Sequence, residues 1–213
     1  MQLVALCSRS QASMDRALQR LEVRDGSIRC YTALEDLLAD ADVDCVDLCL
    51  PIPEIPRAVR AALAAGKAVL SEKPAAPSPA EALELWRAYA DPTGGAQPWA
   101  VLENFGRKPT VLRFEELLRA QCVGRPRSYA AALHQTPPDA AALGWRAGAG
   151  AAEGAAGAYT GGWSLDVGVH LARALRVWFG EAEAARGVRL AGEGDGGGEG
   201  EGEELRGELR HDG

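Results

Sequence analysis

The sequence predicts an α/β fold built on a parallel β-sheet. Short apolar runs rich in β-forming residues alternate with helical segments from residue 2 to about residue 105, which is the pattern of βαβ units. The alternation stops after that point, and this change of rhythm predicts a second domain. We therefore expect a first domain over residues 1–123 and a second over residues 124–213.

Local signals place the elements of the first domain. A helix follows Thr32, because Glu35 lies three residues on at the spacing of a capping box. Gly66 ends another helix, and Ser78 with Pro79 opens a further one. The predicted strands are 3–7, 45–50, 68–71 and 99–103, and the predicted helices are 13–21, 33–40, 54–65 and 80–90.

The rest of the chain carries weaker patterns. Residues 144–162 are 14 Gly or Ala out of 19 and predict a flexible loop. Residues 192–203 contain only Gly, Glu and Asp and predict a disordered, solvated loop. The predicted helices are 109–120 and 164–179, and the predicted strands are 127–134, 184–191 and 204–210.

Composition excludes several classes of protein. The formal net charge is -7, so the chain lacks the basic surface of a nucleic-acid-binding protein. No apolar run reaches the roughly 20 residues of a membrane span, and no secretory signal pattern is present, so we expect a cytoplasmic protein. The five cysteines have no zinc spacing and are expected to be reduced thiols, with Cys45 and Cys49 buried on one face of a strand.

A first candidate site is Glu72-Lys73-Pro74, at the end of the strand predicted over 68–71. Ligands of doubly wound sheets bind at the carboxyl ends of the strands. A lysine there can hold a polar or negative substrate oxygen. The structural alternative is a solvated surface lysine.

A second candidate site is the pair Asp166 and His170, which lie four residues apart and so on one face of a helix. A carboxylate beside an imidazole fixes its tautomer and raises its basicity, which suits a general acid or base. The structural alternative is that Asp166 caps the start of the helix and His170 is a packed core histidine.

These stretches together resemble the Gfo/Idh/MocA family of NAD(P)-dependent oxidoreductases. The resemblance covers about residues 2–191 and rests on LVALCSRS, ALEDLLADADVDCVDLCLP, AALAAGKAVLSEKP, VLENFGRKP, Trp145-Arg146 and GGWSLDVGVH, in the family's order. It implies a Rossmann-like domain followed by a partial α/β domain with an open sheet. It also implies hydride transfer between a nicotinamide cofactor and a carbinol carbon of a sugar, inositol or related diol.

The resemblance also implies roles for individual residues. Lys73, Asp166 and His170 match the family's catalytic lysine, acid and histidine, and Asn104 is the expected substrate contact. The residues expected to hold the cofactor are Ser8, Arg9, Pro51, Glu72, Lys73, Trp145 and Arg146. No metal is expected. A small polyol is the expected partner, with a homo-oligomer through the second domain's sheet as a further possibility.

The chain departs from the family pattern in several places. The family begins with a strand and Gly-x-Gly-x-x-Gly, whereas Met1 precedes what resembles the second strand. We therefore expect a fragment or incomplete gene product. In the family's 3-2-1-4 strand order, the missing first strand would leave the family's second and fourth strands with unpaired edges. Smaller departures are Gly106 where an arginine is expected and Arg173 where an acid is common.

Ser8 and Arg9 stand where the adenosine ribose is bound in such folds. A hydroxyl and a guanidinium suit a 2′-phosphate, so NADP is favoured over NAD. The alternative is an arginine that merely opens a surface turn. For the whole chain, the alternative to an oxidoreductase is a non-catalytic relative or fragment that acts as an interaction or oligomerisation module.

Overall fold

A computed structural model describes residues 2–23, 25–91, 97–122 and 162–180, together with Gly124 and Pro126. The described residues fall into two compact units: a first unit of 2–103 with 162–167, and a second unit of 104–122 with 168–180. The domain boundary predicted at residue 124 stays a prediction. Outside the described residues lie the predicted strands 127–134, 184–191 and 204–210, the loop 192–203, and all of the loop 144–162 except its last residue.

The first unit contains five strands, all paired in parallel, which confirms the predicted α/β class. One sheet has the order β1-β2 and the other the order β3-β4-β5. Within the described ranges β1 does not pair with β3, in line with the predicted unpaired edges. The strands are β1 (Ala5–Cys7), β2 (Arg29–Tyr31), β3 (Cys45–Leu48), β4 (Ala68–Glu72) and β5 (Trp99–Leu102).

The described residues contain six α-helices. Ser78 caps the fourth helix as predicted, since its Oγ accepts a hydrogen bond from the Glu81 N–H at 3.2 Å. Gly66 follows the third helix with φ of +73°, a conformation that glycine adopts without strain. The helices are α1 (Gln11–Arg20), α2 (Leu34–Ala39), α3 (Ile55–Ala64), α4 (Pro79–Ala90), α5 (Pro109–Arg119) and α6 (Gly162–Phe179).

Two local predictions for the segment around β2 are wrong. The sequence pattern does not indicate β2, and it predicts the cap of the next helix at Thr32. The N-cap of α2 is Ala33, which makes no side-chain capping hydrogen bond. Because β2 ends at Tyr31 and α2 begins at Leu34, the cap falls one residue later than the capping-box spacing requires.

The core of the first unit lies between the sheets and α3. Val46 and Leu48 of β3 are buried against Val59 of α3, and Ala5 of β1 and Tyr31 of β2 pack against the same cluster. The two sheets therefore share one hydrophobic core.

Alternation along β3 also corrects the prediction for Cys45 and Cys49, which are exposed rather than buried. Successive residues of a strand point to opposite faces. The larger apolar side chains Val46 and Leu48 occupy the buried face, so the alternate positions, Cys45 among them, face outward.

Asp40, which follows α2, ties that helix to β2. Its carboxylate accepts hydrogen bonds from the Asp42 backbone N–H at 3.0 Å, the Tyr31 hydroxyl at 2.9 Å and Arg29 Nε at 2.7 Å. These donors, the Asp42 N–H foremost, hold the pKa of Asp40 below its usual range.

Among the described residues, no helix is both long enough and apolar enough to cross a membrane.

Candidate functional site

A cavity of about 340 Å³ lies in the first unit at the carboxyl ends of β3 and β4. Two segments form its walls, the residues that follow β3 and the Glu72-Lys73 step at the end of β4. Asp166 of α6 completes it. This is the edge at which parallel sheets bind ligands. The lining residues are Cys49, Leu50, Pro51, Ile52, Glu72, Lys73 and Asp166.

Lys73 follows β4 directly, and its peptide bond to Pro74 is cis. Its Nζ donates hydrogen bonds to Oδ1 of Asp166 at 2.7 Å and to the backbone oxygen of Asp166 at 2.6 Å. The side chains of Lys73 and Asp166 are 17% and 9% exposed. Lys73 is therefore a half-buried ammonium anchored to α6, which rules out the alternative of a solvated surface lysine.

Asp166 is the fifth residue of α6, which begins at Gly162. It does not occupy the N-cap position, so the alternative of a helix-start cap does not apply. The spacing in the sequence relates Asp166 only to His170, and it does not predict the ion pair of Asp166 with Lys73. The sequence gives only an indirect indication of this ion pair. Lys73 and Asp166 are both expected at the site, but their spacing in the sequence does not predict that they bind each other.

His170 belongs to the second unit, where its ring stacks on Phe105 with a centroid separation of 5.1 Å and an interplanar angle of 27°. Lys108 Nζ lies 3.8 Å from the centroid of the same Phe105 ring. His170 is half-buried rather than fully enclosed. Because Lys73 belongs to the other unit, its approach to His170 stays a prediction, as does the orientation of His170 by Asp166.

The residues expected at the adenosine end of a cofactor lie just beyond β1. Ser8 donates its backbone N–H to the Tyr31 carbonyl at 3.1 Å, which fixes the turn that leaves the strand. Arg9 is exposed, and no carboxylate of the described residues forms an ion pair with it. A guanidinium at the carboxyl end of a strand is thus available to an external anion.

The remaining predicted site residues have different outcomes. Pro51 and Glu72 line the cavity. Asn104 is exposed in the second unit, where its backbone oxygen accepts the Arg107 N–H at 3.0 Å. Trp145 and Arg146 lie outside the described residues. Their roles, and that of Asn104, stay predictions.

Cys49 lines the cavity, although the sequence motifs do not predict it as a site residue. The signal was its position directly after β3, at the edge where ligands bind. Its Sγ lies 3.7 Å from Oδ1 of Asp47. Although Cys49 is exposed overall, partial withdrawal of its thiol from water in the cavity, followed by the charges of Asp47 and Glu72, raises the pKa of the thiol.

Comparison with known proteins bears on residues 1–93, which contain β1 to β4, Ser8, Arg9 and Lys73. They match the model of the oxidoreductase family GFO_IDH_MocA, described as an NAD-binding Rossmann fold. This segment is similar to the Gfo/Idh/MocA family. The resemblance predicted from the sequence is confirmed.

One curated protein and several solved structures are also similar to this chain. The dehydrogenase FPY6 of Fusarium mangiferae is 44% identical over 92 residues, which is 43% of this chain and 26% of that protein. An oxidoreductase of Thermotoga maritima superimposes with a TM-score of 0.68 at 22% identity, over 89% of this chain and 56% of that chain. A 3-ketoreductase of Actinomadura kijaniata, solved with TDP-benzene and NADP, gives a TM-score of 0.67 at 26% identity, over 86% and 52%.

The chain thus spans about half the length of these solved structures and a quarter of the Fusarium dehydrogenase. The likeness to them supports the predicted Rossmann-like fold.

Proposed function

We propose that this chain is an oxidoreductase that transfers a hydride between NADP, or less favourably NAD, and a carbinol carbon of a sugar, inositol or related diol. The observation that carries the proposal is the Lys73–Asp166 pair, which lies in a cavity at the carboxyl edge of the sheet. The segment that provides this edge is the one that matches the NAD-binding family.

The residues present fit a nicotinamide cofactor. Leu50, Pro51 and Ile52 give the cavity an apolar wall, against which Glu72 and Lys73 place polar groups. This combination is typical of pockets that bind flat organic ligands. When bound there, the nicotinamide ring supplies or accepts the hydride. Ser8 and Arg9 are the proposed contacts of the 2′-phosphate of NADP.

Lys73 is proposed to hold the reacting oxygen of the substrate. An ammonium has three N–H donors, and two of them bond to Asp166. Because Lys73 lines the cavity, the third is proposed to donate to a substrate hydroxyl or carbonyl. A fixed positive charge at that point stabilises an oxygen that becomes negative during the reaction.

His170 is proposed to take the hydroxyl proton in oxidation and to return it in reduction. An imidazole can both accept and donate a proton near neutral pH, as this transfer requires. Stacking on Phe105 limits the orientations of its ring. Asp166, one helical turn earlier, is proposed to orient the imidazole while it anchors Lys73.

The activity test uses the 213-residue chain with NADP and the neutral polyols myo-inositol and D-glucose. His170→Ala should lower kcat by about 100-fold, the scale of a lost general acid or base, and Lys73→Ala at least as much. Lys67→Met is the control, because Lys67 precedes β4 and donates to the Asp40 carbonyl at 2.8 Å, away from the cavity. Equal rates in the His170 variant and the control would refute the proposed role of His170.

The cofactor test compares NADP with NAD by calorimetry. Arg9→Gln should weaken NADP binding by about 10-fold or more and leave NAD unchanged, because a hydrogen bond to a charged group contributes about 1.5–3 kcal/mol. Arg20→Gln, at the far end of α1, is the matched control. Equal affinity of the wild type for the two cofactors would remove the role given to Arg9. Absence of both binding and turnover would favour the alternative of a non-catalytic interaction module.

A further inference from the structure

The side chain of Arg173 in α6 lies directly over Gly106, within the second unit. A Cβ atom on residue 106 would stand 2.6 Å from Arg173 Nε and 3.1 Å from its Cγ. Any side chain at 106 would therefore displace the guanidinium. The two positions at which the sequence departs from the family pattern in this region thus fit against each other.

The described part of the second unit carries more basic than acidic side chains. The described residues of the second unit carry six Lys or Arg side chains but only two carboxylates, Glu115 and Glu116. Both carboxylates are already engaged, since Arg119 binds Glu115 at 2.6 Å and Arg113 binds Glu116 at 2.7 Å. Positive charge is thus left in excess in the described part of this unit, although the whole chain has a net charge of -7.

Arg173 itself is half-buried, and no hydrogen bond or ion pair joins it to a described residue. A charged group withdrawn from water is unfavourable unless it is paired. The planar guanidinium has a fork of N–H donors that matches the two oxygens of a carboxylate or phosphate. A carboxylate or phosphate of a bound molecule would therefore be a suitable partner for the Arg173 guanidinium.

Arg173 is also close to the proposed proton-transfer group. It follows His170 by three residues on α6, and side chains at this spacing are neighbours on a helix surface. Phe105 and Gly106 are consecutive, and they contact His170 and Arg173 respectively. An anion held by Arg173 would thus belong to a molecule that also reaches His170.

We propose that Arg173 is a substrate-binding residue that recognises an anionic substituent, a carboxylate or a phosphate, on the polyol. The inference rests on the proposed function and narrows its substrate class from neutral sugars and inositols to sugar acids or polyol phosphates. Gly106 serves this role by leaving room for the guanidinium.

Calorimetry on the full chain tests this with three probes of similar size: D-gluconate, D-glucitol 6-phosphate and neutral D-glucitol. The wild type should bind at least one anionic probe about 10-fold more tightly than D-glucitol, and the tighter of the two identifies the anion. Arg173→Met should abolish this preference and leave D-glucitol binding unchanged. Arg113→Met, which removes an exposed arginine already paired with Glu116, should keep the preference.

Gly106→Ala is the second variant. It retains Arg173 and displaces its guanidinium, so it should weaken binding of the anionic probe even if Arg173→Met fails to fold. Equal binding of gluconate, the phosphate ester and D-glucitol by the wild type would overturn the proposal. An unchanged anion preference in both Arg173→Met and Gly106→Ala would also overturn it.

The outcome is separable from that of the proposed function, because calorimetry needs no hydride transfer. A chain that prefers the anionic probes but turns over no polyol would keep the Arg173 site and refute the oxidoreductase proposal. Turnover of neutral polyols without any anion preference would do the reverse.

Discussion

The Lys73–Asp166 ion pair should be measurable as a coupling in folding stability. At a separation of 2.7 Å, two unit charges attract by about 6 kcal/mol at an effective dielectric constant of 20, before the cost of removing them from water. Breaking a buried pair costs about 3–5 kcal/mol. Because Lys73 and Asp166 are 17% and 9% exposed, we expect the lower end, about 3 kcal/mol for Lys73→Met, which keeps most of the aliphatic stem.

A double-mutant cycle with Asp166→Ala isolates the part due to the carboxylate. The bond from Lys73 Nζ to the backbone oxygen of Asp166 survives in Asp166→Ala, so it does not enter the coupling. We expect the double variant to be more stable than the sum of the single effects predicts, by about 2 kcal/mol.

Urea denaturation followed by circular dichroism provides the four free energies of unfolding. Lys67→Met is the matched control, because Lys67 is also half-buried and donates to a backbone carbonyl. Its effect should add to that of Asp166→Ala with no coupling. A coupling below about 0.5 kcal/mol between Lys73 and Asp166 would refute the stabilising role of the pair.

Three further predictions concern other parts of the first unit. Asp40→Asn should lower the free energy of unfolding at neutral pH. The difference from wild type should vanish as the pH falls through the depressed pKa of Asp40, because the stabilisation needs the ionised carboxylate. Thermal unfolding between pH 7 and pH 2 measures this difference. Ser78→Ala should cost about 1 kcal/mol, since it removes the acceptor of the Glu81 N–H, and Ser78→Asn, a good cap, should restore most of it in the same urea titration. Iodoacetamide should alkylate Cys49 slowly at pH 8, because partial desolvation in the cavity and the charge of Asp47 raise the pKa of its thiol. Asp47→Asn should speed the reaction, which mass spectrometry follows. An unchanged rate would contradict the contribution of the Asp47 charge.

Sequence predicted the elements best where a local signal and a hydrophobic pattern coincided. Ser78 and Gly66 mark the ends of helices through chemistry that acts within a few residues. The strand β2 has three residues, Arg29 to Tyr31, of which the first is charged and exposed. Such a segment is too short to show the period of two that identifies a strand, so only the fold reveals it.

The prediction that Cys45 and Cys49 are buried was wrong for a different reason. The pattern of β3 correctly predicts two faces, but it does not say which face meets the core. That choice depends on packing against α3, and Val46 and Leu48 fill the inner face better than the smaller thiols do. Tertiary packing therefore determines which face of β3 is buried, and the sequence of the strand alone does not.

The candidate site shows the same division between local and long-range information. Lys73 was predicted from the end of a strand, and Asp166 from its spacing to His170. Their bond joins residues 93 positions apart, and it depends on how α6 approaches the edge of the sheet. No pattern in a single sequence encodes that approach.

Asp166 has two proposed roles, and the chemistry of a carboxylate allows both. A carboxylate has acceptor positions on both oxygens, so the bond from Lys73 at Oδ1 does not prevent a bond to His170. The two roles differ in what a neutral amide preserves. Asp166→Asn keeps an oxygen that can accept a hydrogen bond from Lys73 and could still orient the imidazole, but it removes the negative charge of the carboxylate. If Asp166 only orients His170, this variant should change kcat little and mainly shift its pH profile. Because Asp166 also anchors Lys73, we expect a larger loss in kcat, since an ammonium without its counterion is held less firmly at the reacting oxygen.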